Sequence, residues 1–202
     1  MKYYIRIVLL LLFILSAQVA RAGFISQDIP NDLGNSRSAI MGDVNNDGNL
    51  DIYVGARLEQ NKLWLGNGDG TFTSADITGD DQGNTTDAAM ADLNGDGNLD
   101  IYVTNSFGKN KLWLGNGDGT FANADILADS TTSRSSSVAI GDIDNDSDLD
   151  IYVGAFSGGT NVLWINDGSG NFTDGSIAGD GISSSYFARR SNIPFKLLAA
   201  KQ

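Results

Sequence analysis

Apart from one run from Ile7 to Leu15, apolar residues in this chain come in short bursts separated by Asp, Asn and Gly. The bursts are rich in β-branched and aromatic types, as in Asp51-Ile52-Tyr53-Val54-Gly55 and Asn61-Lys62-Leu63-Trp64-Leu65. Runs of that kind read as strands. Between two of them Gly66-Asn67-Gly68-Asp69-Gly70 carries both Asn-Gly and Asp-Gly, the strongest short-range hairpin signal. One unit thus predicts four antiparallel strands, at Ser38 to Gly42, Asp51 to Gly55, Asn61 to Leu65 and Thr71 to Ile77.

The pattern repeats. The second unit has Ala88 to Ala91, Asp100 to Val103, Asn110 to Leu114 and Thr120 to Ile126, and the third has Ser137 to Gly141, Asp150 to Gly154, Asn161 to Ile165 and a last strand from Phe172 to Ile177. Asp43, Asp92 and Asp142 recur at 49 and 50 residues, and Trp64, Trp113 and Trp164 at 49 and 51. A period of about 40 to 50 residues with several short strands indicates a β-propeller blade or a related stacked array. The fold class expected is all-β, a propeller-type array of three four-stranded blades at about 38–77, 88–126 and 137–177. Closed rings usually hold about four to eight blades, so three give an incomplete propeller. Phe24 to Ile29 resembles the last strand of a blade, Ser183 to Ala188 stands where a fourth unit would begin, and the repeat dissolves over 181–202. An open array leaves edges that can pair with another chain, so self-association is expected.

The polar residues between the first two strands of each unit form a second repeat. Asp43-Val44-Asn45-Asn46-Asp47-Gly48-Asn49-Leu50-Asp51 returns as residues 92–100 and again as 142–150. Side-chain oxygens fall at positions 1, 3, 5 and 9 of each nonapeptide, and position 7 offers its backbone carbonyl. That alternation suits Ca²⁺, which takes about six to eight oxygen ligands. Gly48 and Gly97 at position 6 permit a sharp turn. Asp, Asn and Gly also crowd ordinary turns, but three copies in register favour a cation over acidic turns alone. An EF-hand does not fit, because position 12 is Val54, Val103 or Val153 rather than Glu and a strand follows instead of a helix. The Gly66 to Gly70 turn occurs once per unit, unlike the nine-residue calcium repeats of β-roll toxins.

Composition narrows the function. Lys2 and Arg6 before the Ile7 to Leu15 run, with Ala20-Arg21-Ala22 after it, give a secretory signal peptide over 1–22 and a mature start at Gly23, with no membrane insertion after cleavage. No Cys follows to carry a lipid. Removing Lys2, Arg6 and Arg21 takes the formal charge from −12 to −15. So acidic a surface repels phosphate backbones and argues against nucleic acid. Of the 25 acidic residues only Glu59 is Glu, a bias towards turns and metal ligands rather than general solubility. The chain has neither Cys nor His, which removes disulfide scaffolds, Ser-His-Asp and Cys-His catalysis, and the usual zinc sites.

The nonapeptides, the Asp-Ile-Tyr-Val-Gly strand after them and the Leu-Trp-Leu-Gly-Asn-Gly-Asp-Gly-Thr-Phe run at 63–72 resemble FG-GAP and VCBS-type repeats, which are related to the blades of integrin α-subunit propellers. The resemblance covers about residues 24–180. It implies a calcium-stiffened propeller used outside the cytoplasm, secreted or periplasmic, in adhesion or ligand binding, without fixing one activity. It carries calcium ligation, three sites in all, onto Asp43, Asn45, Asp47, Asn49 and Asp51; onto Asp92, Asn94, Asp96, Asn98 and Asp100; and onto Asp142, Asp144, Asp146, Asp148 and Asp150. The third loop departs from the pattern. Ser147 replaces the glycine, at about 1 kcal/mol if a positive φ is kept, and five Asp residues make it the least stable loop without metal.

The function expected is a non-enzymatic binding module for a protein or glycan ligand. Carboxylates that come in equivalent threes suit structure better than a single acid/base pair. A lectin of the same architecture is the rival reading, with Trp64, Trp113 and Trp164 stacking on sugars. Packing between blades is the alternative use of those indoles.

Overall fold

The computed structural model describes residues 34–80, 83–126, 134–156 and 159–175, together with Ile29 and Asp129. The signal peptide expected at 1–22, most of the strand expected at Phe24 to Ile29, the end of the third unit expected at Ile177, the restart expected at Ser183 to Ala188 and the tail at 181–202 lie outside the described residues.

Three four-stranded antiparallel sheets follow one another along the chain, each in sequential order. The first contains β1 (Ser36–Gly42), β2 (Asp51–Ala56), β3 (Lys62–Gly66) and β4 (Phe72–Ser74). The second contains β5 (Thr85–Ala91), β6 (Asp100–Asn105), β7 (Lys111–Gly115) and β8 (Phe121–Asn123). The third contains β9 (Ser135–Gly141), β10 (Asp150–Ala155), β11 (Val162–Asn166) and β12 (Phe172–Gly175). The first strands β1, β5 and β9 pack side by side, each the inner strand of its sheet. This is the expected open propeller-type array. Among the described residues no helix is long and apolar enough to cross a membrane.

Two strand boundaries differ from the sequence expectation, each for a local reason. The inner strands start two or three residues earlier, at Ser36, Thr85 and Ser135, because polar side chains extend the pairing. Thr86 Oγ1 donates to the Thr104 carbonyl at 3.1 Å and Ser136 Oγ to the Gly154 carbonyl at 3.0 Å, beside a bulge in each ladder. The fourth strands are shorter than expected and stop at Ser74 and Asn123 rather than reaching Ile77 and Ile126. Beyond them a carboxylate replaces the backbone acceptor: the Leu63 N–H donates to Asp76 Oδ1 at 3.4 Å and the Leu112 N–H to Asp125 Oδ1 at 3.2 Å.

The cores lie between the sheets. Val44, Tyr53, Leu63 and Ile77 of the first unit meet Ala88, Ile101, Val103 and Trp113 of the second. Leu93, Tyr102, Leu112 and Ile126 then meet Ile151, Val153 and Trp164 of the third. Trp113 and Trp164 are therefore inter-sheet packing residues, and Trp64 is equally buried. No indole face is open for a sugar to stack on, so the structure decides for packing at these positions. Large aromatics contribute much of the area buried at such junctions.

Candidate metal centres

Each acidic nonapeptide joins the first strand of a sheet to the second. Two left-handed residues fold it. Position 6 has φ of 86° at Gly48 and 87° at Gly97, and Ser147 keeps 84° despite its side chain. Position 4 is also left-handed, at Asn46 (57°), Gly95 (74°) and Asn145 (65°). Asn and Gly tolerate that region best, so the Asn/Gly/Asn series at position 4 was a readable signal that the ligand spacing overshadowed.

These two reversals bring the oxygens of positions 1, 3 and 5 together. In the first loop Asp43 accepts the Asp47 N–H at 3.1 Å and the Gly48 N–H at 2.8 Å, while Asn45 Oδ1 accepts the Asp47 N–H at 3.1 Å. Asp47 Oδ1 accepts the Asn49 N–H at 2.8 Å, and Asn45 Nδ2 donates to Asp47 Oδ2 at 3.0 Å. The second loop repeats this set through Asp92, Asn94, Asp96 and Asn98. Those donors hold the Asp47 and Asp96 carboxyls below the ordinary range, first through the backbone N–H of position 7 and then through the Asn amide.

The third loop lacks that relief. Ser147 N–H reaches Asp142 at 3.3 Å and Asp146 N–H reaches Asp144 at 3.3 Å, both longer than their counterparts. Asp144 has no amide to offer Asp146. Instead, Asp142, Asp144 and Asp146 each bring a carboxylate oxygen within 4.8 Å of the other two. Desolvation within the loop and then the Asp146 charge raise the Asp144 carboxyl, and desolvation followed by the Asp146, Asp167, Asp142 and Asp150 charges raises Asp148. Calcium–oxygen bonds of about 2.3–2.6 Å allow two ligands of one ion to stand roughly 5 Å apart at most. The cluster fits within that span, and its donors are all hard oxygens.

Position 9 has a second role that spacing did not reveal. Asp51, Asp100 and Asp150 are wholly buried. Asp51 accepts the Val44 N–H and the Gly66 N–H, both at 2.8 Å, so that it fastens the loop to the end of β3. Asp100 does the same with Leu93 and Gly115, and Asp150 with Ile143 and Asn166. Burial outweighs the two N–H bonds at Asp100, and with the Asp96 and Asp92 charges it pushes that carboxyl up to about 6. Position 7 is braced from outside: the Asn49 amide fills the space beside Gly68 in its own hairpin, where a Cβ would not fit and φ is 77°.

The match to known repeats follows this geometry. The model of the FG-GAP-like repeat matches residues 43–103 and 92–153, more than half of the chain. The chain belongs to the FG-GAP-like repeat family. Each matched FG-GAP segment starts at the first Asp of one nonapeptide and runs through the next, so the family signature and the candidate ion loops are the same residues. Curated protein sequences give no match. Among solved structures, an Agrocybe aegerita lectin, described by its specific recognition of non-reducing terminal N-acetylglucosamine, aligns at 27% identity and a TM-score of 0.46. The alignment covers 67% of this chain and 36% of the lectin's, so the FG-GAP array spans about a third of that protein's length.

A set of residues at the other end of the first two sheets was missed. Tyr53 donates to Asp80 Oδ2 at 2.6 Å, and Asn61 Nδ2 donates to Asp80 Oδ1 at 3.0 Å, all buried. Tyr102 and Asp129 repeat the pair at 2.9 Å. The 49-residue interval between Asp80 and Asp129 was the available signal, hidden because each closes a turn after its fourth strand, where an Asp reads as an ordinary turn residue.

Proposed function

We propose that this FG-GAP chain is an exported, calcium-binding propeller module, non-catalytic, with a structural or ligand-binding role such as adhesion. The observation that carries the reading is the cluster of Asp142, Asp144 and Asp146, three exposed carboxylates with oxygens within 4.8 Å and no ion pair to a basic side chain among the described residues. Like charges about 4 Å apart repel by roughly 4 kcal/mol at an effective dielectric near 20. A divalent cation removes that repulsion and converts it into attraction.

Asp43, Asn45, Asp47 and Asp51 would hold an ion in the first loop, together with the Asn49 backbone carbonyl. Asp92, Asn94, Asp96, Asn98 and Asp100 would do so in the second, and Asp142, Asp144, Asp146, Asp148 and Asp150 in the third. When bound, the ion supplies charge neutralisation and a rigid link between the first two strands of a sheet. The chain's own part is to hold the oxygens in place: left-handed turns at positions 4 and 6 converge them, and the buried position-9 carboxylate ties the loop to β3, β7 or β11. The leader at 1–22 supports export, and equivalent acidic loops in each unit support a structural over a catalytic use.

Binding to the folded state alone stabilises it by mass action. The melting temperature should therefore rise by several degrees in millimolar calcium relative to excess chelator. Equal melts in the two conditions would overturn the proposal.

A further inference from the structure

We infer that the end of the array away from the ion loops is a docking surface for an extended acidic segment of another protein, one that carries apolar side chains between its carboxylates. The loops that join the second strand of each sheet to the third lie at that end, and each presents an apolar side chain to solvent: Leu58 is 64% exposed, Phe107 67% and Phe156 39%.

Single exposed apolar residues are ordinary. These three belong to one strip. The Arg57 N–H donates to the Asn35 carbonyl at 3.1 Å and the Leu58 N–H to the Gly83 carbonyl at 3.2 Å, which carries the first sheet onto the second. The Ser106 N–H, one residue before Phe107, donates to the Asn84 carbonyl at 2.9 Å, so Gly83 and Asn84 tie the Leu58 and Phe107 loops together. Thr86 Oγ1 then donates to the Ser135 carbonyl at 2.9 Å, and the Phe156 N–H to the Arg134 carbonyl at 2.7 Å. This run of hydrogen bonds sets the three side chains along one rim, one from each sheet. Leu58 is also left-handed, at φ 63°, where a bulky side chain is strained and glycine is not. Strain of that kind clusters where side chains meet ligands.

Charge selects the partner. The described residues hold six basic side chains, Arg37, Arg57, Lys62, Lys109, Lys111 and Arg134, and all stand at this end, around the starts of β1, β3, β7 and β9 or in the loops leaving β2 and β6. Lys62 and Lys111 are paired with Asp76 and Asp125 at 2.6 and 3.0 Å. Arg57, beside Leu58, and Lys109, two residues from Phe107, are exposed and form no ion pair among the described residues. The ion loops at the opposite end hold carboxylates and no base. Screening beyond about 10 Å in 0.1 M salt lets the basic rim act on a partner separately from those loops. A sugar ring stacks on flat aromatic faces, which the aliphatic Leu58 does not offer, so the apolar side chains of a peptide suit the row better. Sheets stack about 10 Å apart and an extended chain advances about 3.3 Å per residue, so an apolar residue at about every third position reaches successive side chains of the rim. The inference names a ligand for the binding role proposed above and rests on that role, while none of its residues is among the proposed calcium ligands.

The test is fluorescence anisotropy on the purified full chain in calcium-containing buffer, with a fluorescein-labelled peptide of repeating Leu-Glu-Asp as the probe. The peptide should bind, and binding should weaken as salt rises. Peptides of repeating Ser-Glu-Asp and of repeating Leu-Ser-Asn should each bind about tenfold more weakly or worse. Phe107→Ser should weaken binding about tenfold or more, the worth of one buried apolar side chain, and Arg57→Gln combined with Lys109→Gln should weaken it severalfold. Met41→Ser, exposed at the ion-loop end, should leave it unchanged. Leu58→Gly should weaken binding as Phe107→Ser does while the chain melts at the same or a higher temperature, because glycine relieves the left-handed strain. The effect of calcium on the melt should be the same in every variant, so failure of the docking surface leaves the calcium reading standing. The inference is overturned if the probe does not bind, if the Ser-Glu-Asp peptide binds as tightly as the Leu-Glu-Asp one, if heparin binds where the peptide does not, or if the Leu58→Gly chain melts lower and still binds.

Discussion

Tyr102, two residues beyond the ion loop of its sheet, donates its buried hydroxyl to the buried Asp129 carboxylate at 2.9 Å. Burial raises the Asp129 carboxyl, opposed by the bonds from Tyr102 and Asn110, so the pair is a desolvated polar knot sustained by its hydrogen bonds. Removing one partner leaves the other unsatisfied. Tyr102→Phe should cost about 1–3 kcal/mol of unfolding free energy. Urea denaturation in calcium measures it, and because no ion ligand is touched the loss should be the same in chelator.

The position-9 staple makes a second prediction. Asp51→Ala strands the Val44 and Gly66 amides inside the first sheet. The expected loss is about 2–5 kcal/mol in chelator, because two buried donors lose their acceptor, and larger in calcium, because Asp51 is also a proposed ligand. Asp47→Ala, at an exposed ligand position, should by contrast destabilise mainly the calcium-loaded protein. Paired melts of the two variants separate a carboxylate that is both staple and ligand from one that is a ligand alone.

The third loop should respond to relief of its own repulsion. Asp144→Asn recreates the arrangement at Asn45 and Asn94, where the amide donates to the position-5 carboxylate at 3.0 Å. It should raise the melting temperature in chelator while weakening calcium binding, as followed by calorimetry. Ser147→Gly removes a side chain held at φ 84° and should add about 1 kcal/mol in either condition.

The raised carboxyls set a pH dependence. Asp100 sits at about 6, against 3.8 for a free aspartate, and Asp144 and Asp148 are also raised. An acid whose folded pKa exceeds its unfolded value keeps its proton longer when folded. Without metal, its contribution is therefore present at low pH and lost as pH climbs from near 3.8 through about 6. Asp47 and Asp96 are lowered, so they act below this window. In chelator the melt should fall between pH 4.5 and 6.5, and in excess calcium, which requires charged ligands, it should rise. A chelated sample that gains stability across the same interval would contradict the assignment.

Much of this was readable in the residues. Asp-Ile-Tyr-Val and Leu-Trp-Leu announced central strands, Asn-Gly-Asp-Gly announced hairpins, and the 49- and 50-residue steps of the nonapeptide fixed three units. What escaped was of two kinds. Thr85 and Ser135 open their strands beside Thr86 and Ser136, whose hydroxyls bond to carbonyls of the neighbouring strand, which local apolar patterning does not register. Asp51 and Asp80 do their work through partners 15 and 27 residues away, Gly66 and Tyr53. A carboxylate in a ligand repeat gives no sign of which amides its buried oxygens will meet.

The ion loops do not stand alone along the row. The Val44 carbonyl accepts the Gly119 N–H of the following hairpin at 3.3 Å, and Leu93 accepts Asn166 Nδ2 at 2.7 Å. Each turn is thus latched onto its downstream neighbour, while the turn at Ile143 is exposed and has no following hairpin among the described residues. Opening the first or second turn therefore also strands a donor of the hairpin that follows it, Gly119 or Asn166, so that a substitution there weakens the next sheet as well as its own.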